Sequence, residues 1–122
     1  MSKNKAKGTR YESALVAYLN SEGLTTYRPA QAGARDTGDI HGIPHFAVQA
    51  KDWRDVTGAV REGTDGVQKQ RENLGAQFGV NFVKRARKPI AHGYAVMRID
   101  NFIDLLRLAL PWAFKDGDNE TE

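Results

Sequence analysis

The sequence predicts an α/β fold in which a central mixed β-sheet is flanked by helices. Segments of alternating apolar residues, typical of strands, are interleaved with segments whose apolar residues recur at helical spacing. With 122 residues and no internal repeat, the chain has the length of one domain. We assign residues 1–114 to this domain, which begins with a basic N-terminal arm, and we expect the acidic residues 115–122 to form a disordered tail.

The predicted elements follow the order helix, strands, helix, strands, helix. The first helix covers residues 11–21, because Leu15, Val16 and Leu19 share one side and Gly23 follows its end. The glycines within residues 56–74 favour one broken helix or two short ones. The polar residues 68–72 of this segment are expected at the solvated surface, with contact to phosphate as the alternative. The other predicted elements are strands at residues 24–29, 46–51, 77–84 and 93–99 and a closing helix at 101–110, which Asp100 caps and Pro111 ends.

The chain is basic, and its charge is unevenly distributed. The net charge is +3, but residues 115–122 carry −3, which leaves +6 on residues 1–114. Such a charge suits a polyanion such as DNA, because phosphate contacts supply most of the affinity. Ordinary solvated loops are the alternative for each basic cluster. The first basic cluster consists of Lys3, Lys5, Lys7 and Arg10, and the second of Lys84, Arg85, Arg87 and Lys88.

The composition excludes several classes of protein. The chain has no cysteine, which rules out disulfides and cysteine-ligated zinc and fits a reducing cytoplasm. No apolar run approaches the roughly 18 residues of a membrane span, so we expect a cytoplasmic protein that does not bind membranes. No glycine-rich segment ends in Gly-Lys-Ser or Gly-Lys-Thr, and a phosphate-binding P-loop is therefore not predicted.

Three polar residues are predicted to converge on one point. In the strand at residues 46–51, Gln49 and Lys51 share one face, while the alternate, apolar residues take the core-facing side. The turn residues 42–44 favour a tight reversal that folds Asp39 back beside Gln49. A carboxylate, an amide and a lysine would then lie together.

This arrangement suits phosphodiester hydrolysis. Mg²⁺ prefers oxygen ligands, which Asp39 and Gln49 supply, and Mn²⁺ is expected to substitute for it. Lys51 would hold a phosphate or orient an attacking water. The alternative is a surface turn at Asp39 followed by the solvated face of an edge strand.

Two further carboxylates are candidates for this site. Glu12 lies three and four positions before Leu15 and Val16, at the end of the apolar stripe, so its charge needs a partner. Either it contributes to the metal site or it complements the positive N-terminus of its helix. Asp36, in the predicted loop 31–36, is expected to form a turn rather than to bind a metal.

The two tryptophans are large enough to anchor a core or an interface. Trp53 directly follows the strand that carries Lys51, and Trp112 follows the closing helix. We interpret both as core or dimer-interface anchors, with stacking on nucleic-acid bases as the alternative.

Together, three segments resemble the PD-(D/E)XK nuclease superfamily. They are Gly8-Thr9-Arg10-Tyr11-Glu12 at the start of a helix, Gly38-Asp39-Ile40, and Val48-Gln49-Ala50-Lys51. Within the superfamily, the small size and the basic arm that leads into the glutamate-bearing helix resemble the archaeal and phage Holliday-junction resolvases. The resemblance covers roughly residues 5–110, and its motifs lie in the first 55.

The resemblance implies a role for each of four residues. Glu12 is the acid of the first helix, Asp39 the principal metal ligand and Lys51 the catalytic lysine. Gln49 stands where the family usually has an acid, and this departure removes one negative charge from the metal site. The resemblance also implies a restriction-endonuclease-like core and a homodimer, whose two-fold symmetry matches that of a four-way junction.

We therefore expect a Mg²⁺-dependent DNA endonuclease, most specifically a resolvase of four-way or other branched DNA. We expect it in the cytoplasm of a bacterial or archaeal host, where a phage could encode it. Its DNA-binding residues would come from both basic clusters. Two alternatives stay open: a restriction- or repair-type nuclease for duplex DNA, and a DNA-binding protein of the same fold that has lost catalysis at Gln49. An RNA-directed protein is a third.

Overall fold

The computed structural model of the chain describes residues 3–30 and 35–115. These residues form a small α/β structure with a three-stranded mixed sheet and three helices. Residues 31–34 of the predicted loop and residues 116–122 of the predicted acidic tail lie outside the described residues. The elements are α1 (Lys3–Ser21), β1 (Phe46–Lys51), α2 (Val56–Leu74), β2 (Phe78–Val83), β3 (Tyr94–Val96) and α3 (Ile99–Ala109).

The sheet has the strand order β1-β2-β3. Strand β1 pairs in parallel with β2 in a register that sets Lys51 opposite Val83, and α2 makes the crossover between them. Strand β3 pairs antiparallel with β2, and Tyr94 lies opposite the same Val83. The central mixed sheet that the sequence predicts is confirmed.

One face of the sheet forms the core with α1. Tyr11 and Leu15 of the helix pack with Val48 and Val80 of the neighbouring strands and with Ile40. Because strand side chains alternate, the next residues along β1 and β2 point to the opposite face, towards α2. Both faces of β1 and β2 are therefore covered, as expected for parallel strands.

Helix α2 is continuous, although its glycines predicted a break. The carboxylate of Asp55 accepts a hydrogen bond from the Gly58 N–H at the start, and Gly75 ends the helix in the left-handed conformation. Gly63 lies where the buried amide of Asn81 packs against the helix, and an added Cβ there would come within 2.5 Å of that side chain. One glycine is thus required for packing rather than for a bend.

Several boundaries differ from the prediction. Helix α1 begins at Lys3, so the first basic cluster lies in helical turns rather than in an arm before the helix. The predicted strand at residues 24–29 is reduced to a single bridge between Tyr27 and His41, and the strand predicted at 93–99 to the three residues of β3. Arg98, not Asp100, is the N-terminal cap of α3, because Asp100 is already helical and pairs with the Arg98 guanidinium at 2.7 Å.

Across the described ranges of the chain, no helix combines the length and the apolar character that crossing a membrane requires.

Candidate functional site

The turn at residues 42–44 brings Asp39 beside β1, as the sequence predicts. Ile40 forms an antiparallel bridge with Val48, and the Asp39 N–H donates to the Val48 carbonyl at 2.8 Å. The Asp39 side chain then reaches the next part of the strand. Its Oδ2 accepts hydrogen bonds from Gln49 Nε2 at 2.7 Å and from the Ala50 N–H at 3.0 Å. The predicted approach of Asp39 to Gln49 is confirmed.

The Asp39 carboxylate is electrostatically unfavourable in its charged form. Burial raises its pKa from the ordinary 3.8 to about 6. The Ala50 N–H bond opposes this rise, whereas the negative charges of Glu12 and Asp36 add to it and Lys51 lowers the pKa slightly. A carboxyl group with a raised pKa is characteristic of functional sites, where it can bind a cation or a proton.

A chain of four polar side chains runs through the site. Gln49 donates to Asp39, and Gln49 Oε1 accepts from Gln70 Nε2, which also donates to Asp36 Oδ2 at 2.8 Å. Two amides thus connect two carboxylates. Gln70 Oε1 is buried and has no hydrogen-bond partner, and a buried orphan acceptor of this kind is unusual.

The sequence did not identify Gln70, which was expected at the surface with its polar neighbours. The signal was its spacing: Gln70 lies three residues after Val67 and seven after Gly63, on the buried stripe of α2 that meets the sheet. The alternative interpretation, in which Gln49 lies on the solvated face of an edge strand, is also wrong. Helix α2 covers Gln49, which is only 7% exposed.

Glu12 lies in the same groove as Asp39. Because α1 begins nine residues before it, Glu12 does not complement the helix N-terminus. Its partner is Arg28, whose Nε lies 3.0 Å from Glu12 Oε1. The groove has a volume of about 520 Å³ and is lined by Lys5, Gly8, Thr9, Glu12, Arg28, Pro29, Gly38 and Asp39.

Lys51 lies at the carboxyl end of β1, on the side of the strand that also carries Gln49. Its Nζ is 4.7 Å from the centre of the Trp53 ring, a cation–π contact.

Asp36 has a different role from the other candidates. Its Oδ1 accepts from the Gly38 N–H at 3.0 Å, which is the turn that the sequence predicted for it.

Both basic clusters approach the carboxyl end of β1. Lys7 forms an ion pair with Asp52 at 3.6 Å, and the Lys84 N–H donates to the Lys51 carbonyl at 3.0 Å. Arg85 stacks its guanidinium 5.1 Å from the centre of the Tyr94 ring. Arg10, Arg87 and Lys88 are exposed, and Lys5 lines the groove beside Glu12.

Among residues 3–30 and 35–115, no group of three or more His, Cys, Asp or Glu side chains is arranged to hold a metal ion. The predicted donor set of two carboxylates and one amide contains only two such residues, Glu12 and Asp39.

Comparisons of the chain with protein-family models, with curated proteins and with solved structures found no match. Function is therefore inferred from the residues of the site and from the sequence resemblance described above.

Proposed function

We propose that this protein is a metal-dependent DNA endonuclease with a restriction-endonuclease-like PD-(D/E)XK core. The observation that carries the proposal is the half-buried Asp39 carboxylate, which is hydrogen-bonded to Gln49 and shares a groove with Glu12. Lys51 follows Gln49 by two residues on the same side of β1. This is the set of groups that hydrolysis of a phosphodiester needs: acidic oxygens for a cation and a lysine for the phosphate.

The donor set suits Mg²⁺, with Mn²⁺ as a substitute, on electrostatic grounds. Glu12, Asp36 and burial all disfavour a bare Asp39 carboxylate, and a divalent cation would relieve that cost. Gln49 turns its Nε2 towards Asp39, but a rotation of the amide exchanges nitrogen and oxygen. After such a rotation of both glutamines, Gln70 Oε1 would accept from Gln49 Nε2 and Gln49 Oε1 would face the Asp39 carboxylate, but Asp36 Oδ2 would lose the hydrogen bond from Gln70 Nε2.

The roles of the residues follow from these positions. Asp39, Gln49 and Glu12 would hold the cation, which when bound lowers the pKa of a water and offsets charge on the scissile phosphate. Lys51 would bind a phosphate oxygen or orient the attacking water. Arg28 holds the Glu12 side chain in the groove through the 3.0 Å ion pair.

DNA is the substrate that the charge distribution supports. The first basic cluster reaches the carboxyl end of β1 through Lys7, and the second reaches it through Lys84. Phosphates on both sides of a cleavage point would meet lysines and arginines. With the sequence resemblance, this favours a cytoplasmic resolvase of four-way or other branched DNA, acting as a homodimer whose two sites cut paired strands.

Cleavage assays test the proposal directly. The protein is incubated with a four-way junction, the matching linear duplex and the single strands, each in Mg²⁺ and in EDTA. We expect Mg²⁺-dependent cuts with preference for the junction, and loss of at least a hundredfold in rate for Asp39→Asn and Lys51→Ala. Arg61→Ala, an exposed basic residue of α2 outside both clusters, is the control. Cleavage that persists in Asp39→Asn would rule out this site, and preference for duplex would indicate a restriction- or repair-type nuclease.

A second function is favoured by one observation. The Gln49 amide lies between Asp39 and Gln70, so both of its polar atoms are hydrogen-bonded without a cation. A protein of this fold that binds branched DNA without cutting it would have such a site. Tight junction binding with no metal uptake and no cleavage by the wild type, together with cleavage by Gln49→Glu, would establish this alternative.

A further inference from the structure

Near the candidate site, two exposed aromatic rings each contact a lysine or arginine side chain. Trp53 is 39% exposed and has Lys51 Nζ at 4.7 Å from its ring centre. Tyr94 is 45% exposed and has the Arg85 guanidinium at 5.1 Å. Trp53 is therefore not buried in the core, which was one of the two roles that the sequence favoured for it.

The sheet register places these two pairs at one end of the molecule. Lys51 lies opposite Val83, and Val83 lies opposite Tyr94, so Lys51 and Tyr94 are two strand spacings apart, or roughly 10 Å. Trp53 and Arg85 each come two residues after this row, just beyond the ends of β1 and β2. All four side chains thus belong to the carboxyl end of the parallel strands, where the second basic cluster begins.

An aromatic ring with an adjoining cation matches the chemistry of a nucleotide. The ring can stack on a base, and the cation attracts the neighbouring phosphate. Stacking requires the face of a base, and in a duplex the faces are covered by the bases above and below. Such a pair therefore distinguishes unpaired nucleotides from paired ones.

We propose that Trp53 and Tyr94 form a stacking platform for unpaired bases next to the scissile phosphate. The proposal rests on the proposed function and adds a substrate class to it: DNA with unstacked nucleotides beside the cleavage point, as at a strand end or an opened branch. Lys51 and Arg85 bind the phosphates of the stacked nucleotides.

Tryptophan fluorescence tests the platform without any cleavage. The chain has two tryptophans, so Trp112→Phe leaves Trp53 as the only indole. In EDTA, this variant is titrated with a 12-nucleotide single strand and with the blunt duplex of the same sequence. We expect the single strand to quench Trp53 emission and the duplex to leave it nearly unchanged.

Affinity measurements on variants of the otherwise unchanged chain accompany this titration. Trp53→Ala should weaken single-strand binding about tenfold and duplex binding less than twofold, while Trp53→Phe, which keeps a stacking ring, should retain most of the affinity. Tyr27→Ala is the matched control, because Tyr27 is an exposed aromatic residue whose ring contacts His41 rather than a lysine or arginine. It should leave both affinities unchanged.

The outcomes separate this proposal from the proposed function. If DNA binds but Trp53 is not quenched and Trp53→Ala binds as the wild type does, the platform is refuted and the nuclease proposal stands. Equal quenching and equal losses with duplex would also refute it, since Trp53 would then contact paired DNA. If neither DNA binds, both proposals fail.

Discussion

Asp39 shows at the level of one residue how function and stability compete. Its pKa of about 6 means that the folded protein keeps this proton over a pH range in which the unfolded chain, with a pKa near 3.8, has lost it. The folded state thus binds more protons between these values, and the contribution of Asp39 to stability falls as pH rises from about 4 to 6. Above that window the ionised carboxylate opposes folding.

Asp39→Asn should therefore stabilise the metal-free protein while it abolishes cleavage. The asparagine Oδ1 can still accept from Gln49 and Ala50, but it carries no charge. We expect the free energy of unfolding at pH 7 in EDTA to rise by about 1–3 kcal/mol, with little gain at pH 4. Urea unfolding at both pH values measures this, and an equal effect at both would contradict the assigned pKa. Asp65→Asn, an exposed carboxylate of α2, is the control.

A second prediction concerns metal binding by Gln49, which with Gln70 connects the Asp36 and Asp39 carboxylates through hydrogen bonds. Gln49→Glu would place a second carboxylate against Asp39 in place of an amide donor. We expect this variant to melt below the wild type in EDTA, because like charges then face each other, and to gain more in melting temperature when Mg²⁺ is added.

Thermal unfolding in EDTA and in Mg²⁺ measures both effects. Gln77→Glu introduces the same charge at an exposed position and serves as the control. A variant that melts lower but gains nothing from Mg²⁺ would argue that this pair of side chains does not bind the metal.

The sequence predicts part of this site and misses the rest for physical reasons. Strand alternation and a short turn are local properties, so they suffice to bring Asp39 to Gln49. The Glu12–Arg28 pair joins residues 16 positions apart, and the bond from Gln70 to Gln49 joins residues 21 apart. Such contacts depend on how α1 and α2 pack, which local patterns do not specify.

At the scale of the element, α2 shows why glycine content misleads. Each glycine lowers helix propensity by about 1 kcal/mol relative to alanine, so the sequence favoured a break. Caps at both ends and packing of α2 against the sheet outweigh this cost. The strand predicted at residues 24–29 shows the opposite error. Its residues have adequate strand propensity, but only Tyr27 pairs with another segment, through its bridge to His41.

Two glycines of α2 should respond oppositely to the same substitution. Gly63→Ala should destabilise the protein by about 1–3 kcal/mol, because the new methyl would overlap the buried amide of Asn81. Gly66→Ala adds a methyl in open space and should stabilise by up to about 1 kcal/mol. Chemical unfolding measures both values.

A double variant checks the cause of the first effect. Asn81→Ala removes the overlapping side chain, so Gly63→Ala should be less destabilising in that background than in the wild type. Equal losses in both backgrounds would show that Asn81 is not the reason for the glycine.

At the scale of the whole molecule, exposed apolar side chains at the two ends of α3 are relevant to assembly. Ile99 at the start of α3 is 78% exposed, and Trp112, just after the helix, is 77% exposed. Apolar surface of this kind commonly marks an interface. The proposed homodimer would bury Ile99 and Trp112 between its copies, and Trp112 would then be an interface anchor, one of the two roles that the sequence favoured for it.

Ile99→Asp should shift the protein from dimer to monomer, because a charge would be buried between the copies. Light scattering coupled to gel filtration over a range of concentrations measures the mass. The control is Val56→Asp, an exposed apolar residue at the first turn of α2, where an acid is favourable. A monomeric wild type would contradict the proposed homodimer, and a dimeric mass retained by Ile99→Asp would place the interface elsewhere.

The position of Asp39 beside β1 has a consequence for solubility. Strand β1 is at the edge of the sheet. On the outer side of β1, the Asp39 N–H donates to the Val48 carbonyl, and the Asp39 carboxylate accepts from the Ala50 N–H. Open strand borders recruit strands from other molecules, and here Asp39 occupies two of the outward backbone groups of β1. Asp39→Asn keeps both bonds, whereas Asp39→Ala loses the one to Ala50. The alanine variant should therefore be the one that precipitates on storage, which light scattering over time would show.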